Sequence, residues 1–304
     1  MSHEKLSGLI AATLTPFHPG GSVNLEPIGP MVEFLIRNGV RGLYVCGSTG
    51  EGMSLSTDER KSVTEEFVKA AAGKVPVIAQ VGHNSLTEAV ELAKHAAAVG
   101  VDIVSATCPS YFKASDNASL TQCVQAMASA APDHPFYYYH IPSLTGSTVD
   151  IVRFLEEAKA EVPNLVGVKY TDTKLFEYQT CLAVNDGEFD IVWGCDEMLL
   201  GALATGAHAA IGSTYNVAAP LSNRIIDAVQ RGDLDEARSL QLKSALFIRG
   251  LLEFPFHAAI KRILADRGLE VGSVRPPLKP LSDADKQNLT ASLGTCKFDD
   301  FGCS

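Results

Sequence analysis

The sequence is short of positive charge and contains no apolar run of the roughly 18 residues needed to cross a bilayer. Its 25 Lys and Arg residues are outnumbered by 35 Asp and Glu residues, which leaves a formal net charge of -10. Nucleic acid is therefore not expected as a main partner, because a phosphate backbone requires a basic surface. A small anionic substrate remains compatible, since a local site can be electropositive inside an acidic protein. We expect no nucleic-acid partner and no membrane span.

Paired ligands for a metal or a disulfide are also missing. The seven cysteines include no CxxC pair and lie mostly in apolar segments, so reduced, buried thiols are expected rather than disulfides or a zinc site. The eight histidines are scattered, with no two at ligand spacing, which predicts that no metal is bound. Residues 1–7 lack the basic segment and apolar run of a secretion signal, and the expected location is the cytoplasm.

The sequence does contain eight short apolar segments separated by helical patterns. The strand candidates are residues 9–17, 42–46, 75–81, 103–108, 136–141, 166–170, 191–194 and 209–214. Strands that are apolar nearly throughout and alternate with helices indicate parallel pairing with both faces covered. Eight such units favour an α/β fold of the (β/α)8 TIM barrel type. A doubly wound open sheet is the alternative, but it normally has a glycine-rich phosphate loop after its first strand, and residues 13–16 (TLTP) do not form one.

No strand pattern follows residue 216. We assign residues 1–219 to the barrel, with the active site, and residues 220–304 to a C-terminal helical extension packed on the barrel. Helical patterns in this extension cover residues 221–229, 234–252 and 255–265, and Ser282 is suited to cap a further helix. In the barrel, Ser56 with Glu59 and Ser85 with Glu88 have capping-box spacing.

Lys169 ends the apolar segment at residues 165–168 and is followed at once by polar residues. Because lysine is costly to bury, a lysine at the end of a core strand is either paired with a carboxylate or held partly neutral as a nucleophile. A neutral amine can form a Schiff base with a ketone. Taken alone, a lysine at this position is more often a surface residue at a strand end.

Polar residues also follow strands two and five, and a barrel of this type has its chemistry at the carboxyl ends of the strands. Residues 47–51 (GSTGE) contain the hydroxyls of Ser48 and Thr49 between glycines, a pattern that suits a carboxylate or phosphate nest but also a plain tight turn. On strand five, alternation places Tyr139 on the face opposite to Tyr138. Tyr139 is a candidate proton relay, although packing is the commoner role of a tyrosine. His140 is expected to be a satisfied structural histidine.

Carboxylates and a hydroxyl follow strands seven and eight. Asp196 and Glu197 come directly after Gly194 and Cys195, and Ser213 follows the last strand. These groups suit the hydroxyls of a polyol. They could equally cap the helices that follow.

Taken together and in order, these motifs resemble the class I pyruvate-dependent aldolase family that contains N-acetylneuraminate lyase and dihydrodipicolinate synthase. The resemblance spans almost the whole chain and is carried by GSTGE at residues 47–51, by the tyrosine before Ile-Pro at residues 139–142, and by GVKYTD at residues 167–172. It implies a homotetrameric barrel in which Lys169 forms a Schiff base with pyruvate or a 2-keto acid. Tyr139 would relay protons, and Ser48 and Thr49 would hold the substrate carboxylate.

Within the family, Leu144 distinguishes the branches. The synthases typically place an arginine there to bind a second carboxylate, and leucine cannot make that contact. The sequence YYYHIP most resembles the animal-type sialic acid lyases. Family positions that contact the glycerol tail of the sugar correspond to Gly194, Asp196, Glu197 and Ser213. Thr171 matches a residue near the reacting carbons, and Tyr111 matches an aromatic residue that the family inserts from the neighbouring subunit.

The resemblance thus implies a carbon–carbon lyase that cleaves sialic acid reversibly to N-acetylmannosamine and pyruvate, without a metal or organic cofactor. Two alternatives remain open from the sequence. One is another aldolase of the family that acts on a different 2-keto acid. The other is a non-catalytic relative that binds sugar acids.

Overall fold

Eight parallel strands close into a barrel in which each strand pairs with its sequence neighbours and the eighth returns to the first. The computed structural model describes residues 4–304. The strands are β1 (Gly8–Ala12), β2 (Gly42–Val45), β3 (Val77–Gln80), β4 (Ile103–Ala106), β5 (Phe136–His140), β6 (Leu165–Tyr170), β7 (Asp190–Trp193) and β8 (Ala209–Gly212). The predicted TIM barrel is confirmed. Most strands end earlier than predicted, because the residues that follow them leave the sheet to form the barrel mouth.

Helices alternate with the strands and then continue alone. They are α1 (Ile28–Arg37), α2 (Thr57–Ala71), α3 (Leu86–Ala98), α4 (Asn117–Ala128), α5 (Pro142–Thr145), α6 (Ile151–Ala158), α7 (Leu175–Ala183), α8 (Leu199–Ala204), α9 (Tyr215–Gln230), α10 (Leu234–Leu251), α11 (Phe256–Asp266) and α12 (Asp283–Thr295). The helix α9 crosses residue 219, and the division of the chain at that point stays a prediction. Among residues 4–304, no helix is both long enough and apolar enough to cross a membrane.

All three predicted serines cap their helices, and two of them form the complete capping box. Ser56 and Ser282 each form a complete capping box with the residue three positions later. Ser85 accepts from the Glu88 amide, but the Glu88 carboxylate accepts from the Thr57 hydroxyl at 2.5 Å instead of returning to its own N-cap. This contact joins α3 to the start of α2.

Two separate apolar clusters result from the alternation of side chains along the strands. One fills the barrel interior and contains Tyr137 and Tyr139 of β5. The other lies between the strands and the helices and contains Tyr138. The predicted facing of these tyrosines is confirmed, and it brings Tyr139 to the inside of the barrel.

The barrel is least tightly paired between β7 and β8. These strands share one residue pair, Trp193 with Ala210, whereas every other neighbouring pair shares at least three. Gly194 and Ser213 follow directly on either side of this gap. The weakest seam of the barrel therefore opens at the mouth, beside the predicted polyol-binding residues.

Candidate active site

Lys169 lies on β6, directly opposite Tyr139 of β5 in the strand register. Its side chain is only 3% exposed, and its amine lies 3.9 Å from the ring centres of both Tyr44 and Tyr139. Within residues 4–304 the amine makes no hydrogen bond and no ion pair. Burial lowers the pKa of Lys169 to about 7, with smaller opposing effects from Asp196 and Cys195. A large fraction of the amine is therefore neutral at physiological pH, as a nucleophile requires.

Tyr44 and Tyr139 are the two phenols beside this amine, and the Tyr44 hydroxyl lies 3.0 Å from that of Ser105. Tyr139 is 3% exposed, and its hydroxyl lies 3.4 Å from the Ser48 hydroxyl. Burial raises the pKa of Tyr139 to about 12, and the hydroxyls of Ser48 and Thr171 oppose the shift. The phenol is thus protonated at neutral pH and lies where it can exchange a proton with a group bound at Lys169.

The loop after β2 has the open amide groups expected of an anion nest. Cys46 and Glu51 adopt left-handed φ values of 56° and 55°, which turn the backbone sharply on either side of the loop. Within the described part of the chain, the amides of Ser48 and Thr49 donate to no other group. The Thr49 hydroxyl lies 2.7 Å from that of Ser213. Two amides and two hydroxyls are therefore available to one carboxylate.

A buried ion pair fixes this loop from below, and the sequence did not reveal it. Glu51 accepts from the Lys261 ammonium at 2.8 Å and from the Arg275 amide at 2.9 Å. Both side chains of the ion pair are at most 1% exposed. His257 contacts the Ser48 carbonyl at 3.2 Å. One signal was present, because Lys261 is a lone charge on an otherwise apolar face of its helix, among Ala258, Ala259, Ile260, Ile263 and Leu264.

Residue 194 has to be a glycine, because any side chain there would collide with Thr171. A Cβ at residue 194 would lie 2.0 Å from the Thr171 hydroxyl oxygen and 2.8 Å from the Tyr170 carbonyl. That hydroxyl is buried and has no hydrogen-bond partner among residues 4–304, although it lies close enough to Tyr139 to affect its pKa. An orphaned hydroxyl beside the phenol is a free contact for a bound molecule.

Asp196, Glu197 and Ser213 come together in one cleft but differ in what they can offer. The cleft has a volume of about 380 Å³ and is also lined by Ser143, Thr171 and Gly194. Asp196 is 8% exposed, and one of its oxygens accepts from both the amide and the hydroxyl of Thr214 at 2.7 Å. Burial raises the pKa of Asp196 to about 6, against the lowering effect of these bonds. One Asp196 oxygen is thus already hydrogen-bonded to the turn after β8. The Glu197 side chain is exposed.

Lys169, Tyr139, Ser48 and Thr49 do not line this cleft themselves. Tyr111 and Leu144 also lie outside it, on the surface of the chain. Tyr111 is 79% exposed and packs edge-on against Phe112, with ring centres 5.0 Å apart. Leu144 is 62% exposed on the short helix α5. The chain itself therefore does not bring Tyr111 to Lys169.

The seven cysteines are free thiols. His140 differs from expectation, because it is 2% exposed and neither ring nitrogen has a hydrogen-bond partner within residues 4–304. Burial lowers the pKa of His140 to about 4, so the imidazole is neutral. It lies on the outer side of β5, next to Tyr138.

Comparison with known proteins gives a consistent set of relatives. Residues 5–295 match the Dihydrodipicolinate synthetase family. The N-acetylneuraminate lyase A of Xenopus laevis is 43% identical over 279 residues, which are 90% of this chain and 91% of that protein. The solved N-acetylneuraminate lyase of Aliivibrio salmonicida has a TM-score of 0.95 and 40% identity, and the match covers 97% of this chain and 98% of that one. For the lyase of Proteus mirabilis the TM-score is 0.94, the identity 39% and the coverage 97% and 100%.

Proposed function

The chain belongs to the dihydrodipicolinate synthetase family, and we propose that it cleaves N-acetylneuraminate (sialic acid) reversibly to N-acetylmannosamine and pyruvate through a Schiff base. The observation that carries the proposal is the buried, unpaired amine of Lys169 directly beside the Tyr139 phenol. That pair occurs in a chain whose relatives are N-acetylneuraminate lyases over nearly their whole length.

The first step is condensation. The neutral Lys169 amine attacks the ketone carbon of the open-chain sugar acid, and loss of water gives an iminium. The substrate carboxylate, next to that carbon, is held by the amides and hydroxyls of Ser48 and Thr49. The Glu51 to Lys261 ion pair keeps this loop in its left-handed turn, so the nest exists before the substrate arrives.

The second step breaks the bond between carbons 3 and 4. The hydroxyl on carbon 4 loses its proton through Tyr139, the carbon–carbon bond breaks, and its electron pair flows into the iminium to leave an enamine. N-acetylmannosamine is released as the aldehyde. Protonation of the enamine at carbon 3 and hydrolysis of the resulting iminium return pyruvate and the free amine. The iminium is the electron sink, so this route uses no metal or organic cofactor.

The raised pKa of Tyr139 suits it to this role. With a pKa near 12, Tyr139 rests as the phenol, and it gives its proton to the hydroxyl that leaves as water when the iminium forms. The phenolate that remains is then a strong enough base to take the proton of the hydroxyl on carbon 4. The Ser48 hydroxyl at 3.4 Å connects it to the carboxylate loop. Thr171, with its unused hydroxyl, is positioned to contact the hydroxyl on carbon 4.

The tail of the sugar would occupy the cleft at the seam between β7 and β8. Glu197 and Ser213 provide acceptors there, and Gly194 leaves room for the chain of carbons. Asp196 contributes through the oxygen that Thr214 does not use. Leu144 provides no cation for a second carboxylate, which disfavours the synthase reaction.

A homotetramer in the cytoplasm is part of the same proposal. Tyr111 and Phe112 are 79% and 85% exposed, and so large an aromatic surface suits a subunit contact through which Tyr111 could reach a neighbouring site. Free thiols suit a reducing compartment. Light scattering of the purified chain would measure the mass of the assembly.

The test of the reaction is an assay of pyruvate release from N-acetylneuraminate and from a panel of shorter 2-keto acids. N-acetylneuraminate should have the highest kcat/KM, because buried acceptors lose their partners when the polyol is shortened. Efficient condensation of pyruvate with aspartate semialdehyde would instead assign the chain to the synthase branch.

A further inference from the structure

A second cluster of ligating side chains lies on the outer side of β5 and β6, and one of its members, Asp172, also lines the edge of the cleft. A ring nitrogen of His140 and one carboxylate oxygen each of Asp172 and Glu177 lie within 4.8 Å of one another. Among residues 4–304 this is the one group of three such side chains that could hold an ion. No step of the proposed reaction uses it.

His140 makes this more than a pair of acidic residues. Its imidazole is 98% shielded, being 2% exposed, yet both of its nitrogens lack a hydrogen-bond partner in the described chain. Tyr138 and Tyr170 pack on the ring at centre-to-centre distances of 6.0 Å and 5.4 Å, which fixes its orientation. A buried polar group without a partner is destabilising, so the fold retains a ligand atom that it does not itself satisfy.

We propose that His140, Asp172 and Glu177 form a binding site for a divalent transition metal, with Zn²⁺ as the ion that best suits one imidazole and two carboxylates. Zinc ligands lie about 2.0–2.2 Å from the ion and hence roughly 3.3–3.6 Å from one another in a tetrahedron. The present separations are at most 4.8 Å, so the ligand atoms would have to approach one another by up to about 1.5 Å on binding the ion. The fourth position is left for water.

The surroundings of the three ligands suit an ion. The Tyr170 hydroxyl donates to Glu177 at 2.7 Å and orients that carboxylate, as outer hydrogen bonds do at metal sites. The Thr173 amide donates to Asp172 at 2.7 Å. At present the Lys174 ammonium lies 3.0 Å from Asp172 and 3.8 Å from Glu177. The Lys174 ammonium thus occupies the position that a metal ion would take. Its side chain is 50% exposed and can turn into solvent when an ion binds.

Such an ion would join the end of β5 to the turn that leaves β6. Asp172 is three residues from Lys169, and its neighbour Thr171 contacts the cleft. The metal would therefore brace the turn beside the reactive amine without touching the reacting atoms. This metal site could not be predicted from the sequence, because no two histidines have ligand spacing and the site uses only one histidine.

The test is calorimetric titration of the full-length chain with Zn²⁺ after dialysis against a chelator. One site per chain is expected. Glu177→Gln should raise the dissociation constant for Zn²⁺ at least about 10-fold, because it removes a charged ligand. Lys174→Gln should lower that constant several-fold, because it removes the competing ammonium. Loss of structure cannot produce effects of opposite sign, and both substitutions are on partly exposed side chains.

The control is Glu157→Gln, which removes an exposed carboxylate that is likewise paired with a cation, Arg153. It should leave the dissociation constant unchanged. Co²⁺ as a second probe separates this site from capture by thiols, because cobalt bound to sulfur has an intense near-ultraviolet band and cobalt bound to nitrogen and oxygen lacks it. Anomalous diffraction from zinc-soaked crystals should show one peak between the three side chains.

Three results would overturn the proposal. They are the absence of stoichiometric zinc binding, binding that is the same in Glu177→Gln and Lys174→Gln, and a crystal in which only a water satisfies His140. None of them bears on the aldolase reaction, and failure of that reaction would leave the zinc titration unaffected.

Discussion

Two lysines are buried near the mouth of this barrel, and they differ in their partners. Lys261 is 1% exposed, and its ammonium donates to Glu51 and to the carbonyls of Thr15 and Ser273 at 2.6–2.9 Å. Lys169 is 3% exposed and, within residues 4–304, has no acceptor in reach. The Lys169 amine is surrounded by the rings of Tyr44 and Tyr139, whereas the Lys261 ammonium is surrounded by oxygen atoms.

The difference teaches that burial alone does not make a nucleophile. Burial lowers the pKa of both lysines, but at Lys261 the Glu51 carboxylate opposes the shift. All three protons of Lys261 are used in hydrogen bonds, so no lone pair is available. The Lys169 amine keeps its lone pair because no carboxylate among residues 4–304 forms an ion pair with it. In the proposed reaction, Lys261 holds the loop at residues 47–51 in place, and Lys169 is the nucleophile.

The largest expected effect is on activity in Lys169→Met. Turnover should fall at least about 1,000-fold, because the covalent route is lost and no other group can replace the amine. The fold should survive, since methionine suits a pocket that is already apolar. Steady-state pyruvate release and circular dichroism measure the two effects. Substantial residual turnover would break the comparison at its centre.

Tyr139→Phe should follow, with kcat reduced about 100 to 10,000-fold and KM little changed. The substitution keeps the ring that packs on Lys169 and deletes only the relay. Tyr138→Phe is the matched control, because that hydroxyl lies on the other side of the same strand and should not affect kcat. If the Tyr139 variant turned over like the parent protein, the proton relay would have to be sought elsewhere.

Lys261→Met should lose stability where Lys169→Met does not. Removal of one partner leaves the Glu51 carboxylate buried and unpaired, at a cost of about 3–5 kcal/mol in the free energy of unfolding. Urea unfolding measures the loss. The double variant Glu51→Gln with Lys261→Met should recover a large part of it, since no charge is then stranded. A Lys261→Met protein as stable as the parent would show that the ion pair does not brace the loop.

The smallest effect is the pH dependence of stability that Lys169 contributes. Its pKa falls from 10.5 in the unfolded chain to about 7 in the folded one, so the unfolded state binds more protons between these values and stability rises with pH there. From pH 7 to pH 9 the contribution should be about 2 kcal/mol. The measurement is the difference between wild type and Lys169→Met, in which other ionisations cancel. Equal pH slopes in the two proteins would mean that the Lys169 pKa is not lowered.

Local pattern was enough for the order of the eight strands and for the facing of Tyr137 to Tyr139, because both follow from alternation and burial within a few residues. Lys169 stood out as one charge at the end of an apolar segment, but that pattern alone favoured a surface residue. Its role as the nucleophile came from the resemblance to the aldolase family and stays a prediction. Strand ends were harder. Apolar and small residues continue past Ala12 and Gly212, but the chain has already turned into the mouth.

Contacts across the fold could not be read from the sequence. Glu51 and Lys261 are 210 residues apart, and no local pattern indicates that they meet. Asp196 was predicted to face the substrate or to cap a helix. One of its oxygens accepts from the amide and the hydroxyl of Thr214, and its contact with a substrate stays a prediction. His140 was expected to be satisfied. Alternation predicts its outward facing, but the absence of a partner depends on what the neighbouring elements place around it.

The most direct test of the central claim is reductive trapping of the purified chain with pyruvate and borohydride, followed by peptide mass mapping. We predict one pyruvate adduct per chain, on Lys169, with a trapping rate that rises with pH to a midpoint near 7. Lys261, equally buried but paired, should remain unmodified. An adduct on Lys261, or labelling that persists in Lys169→Met, would contradict the account.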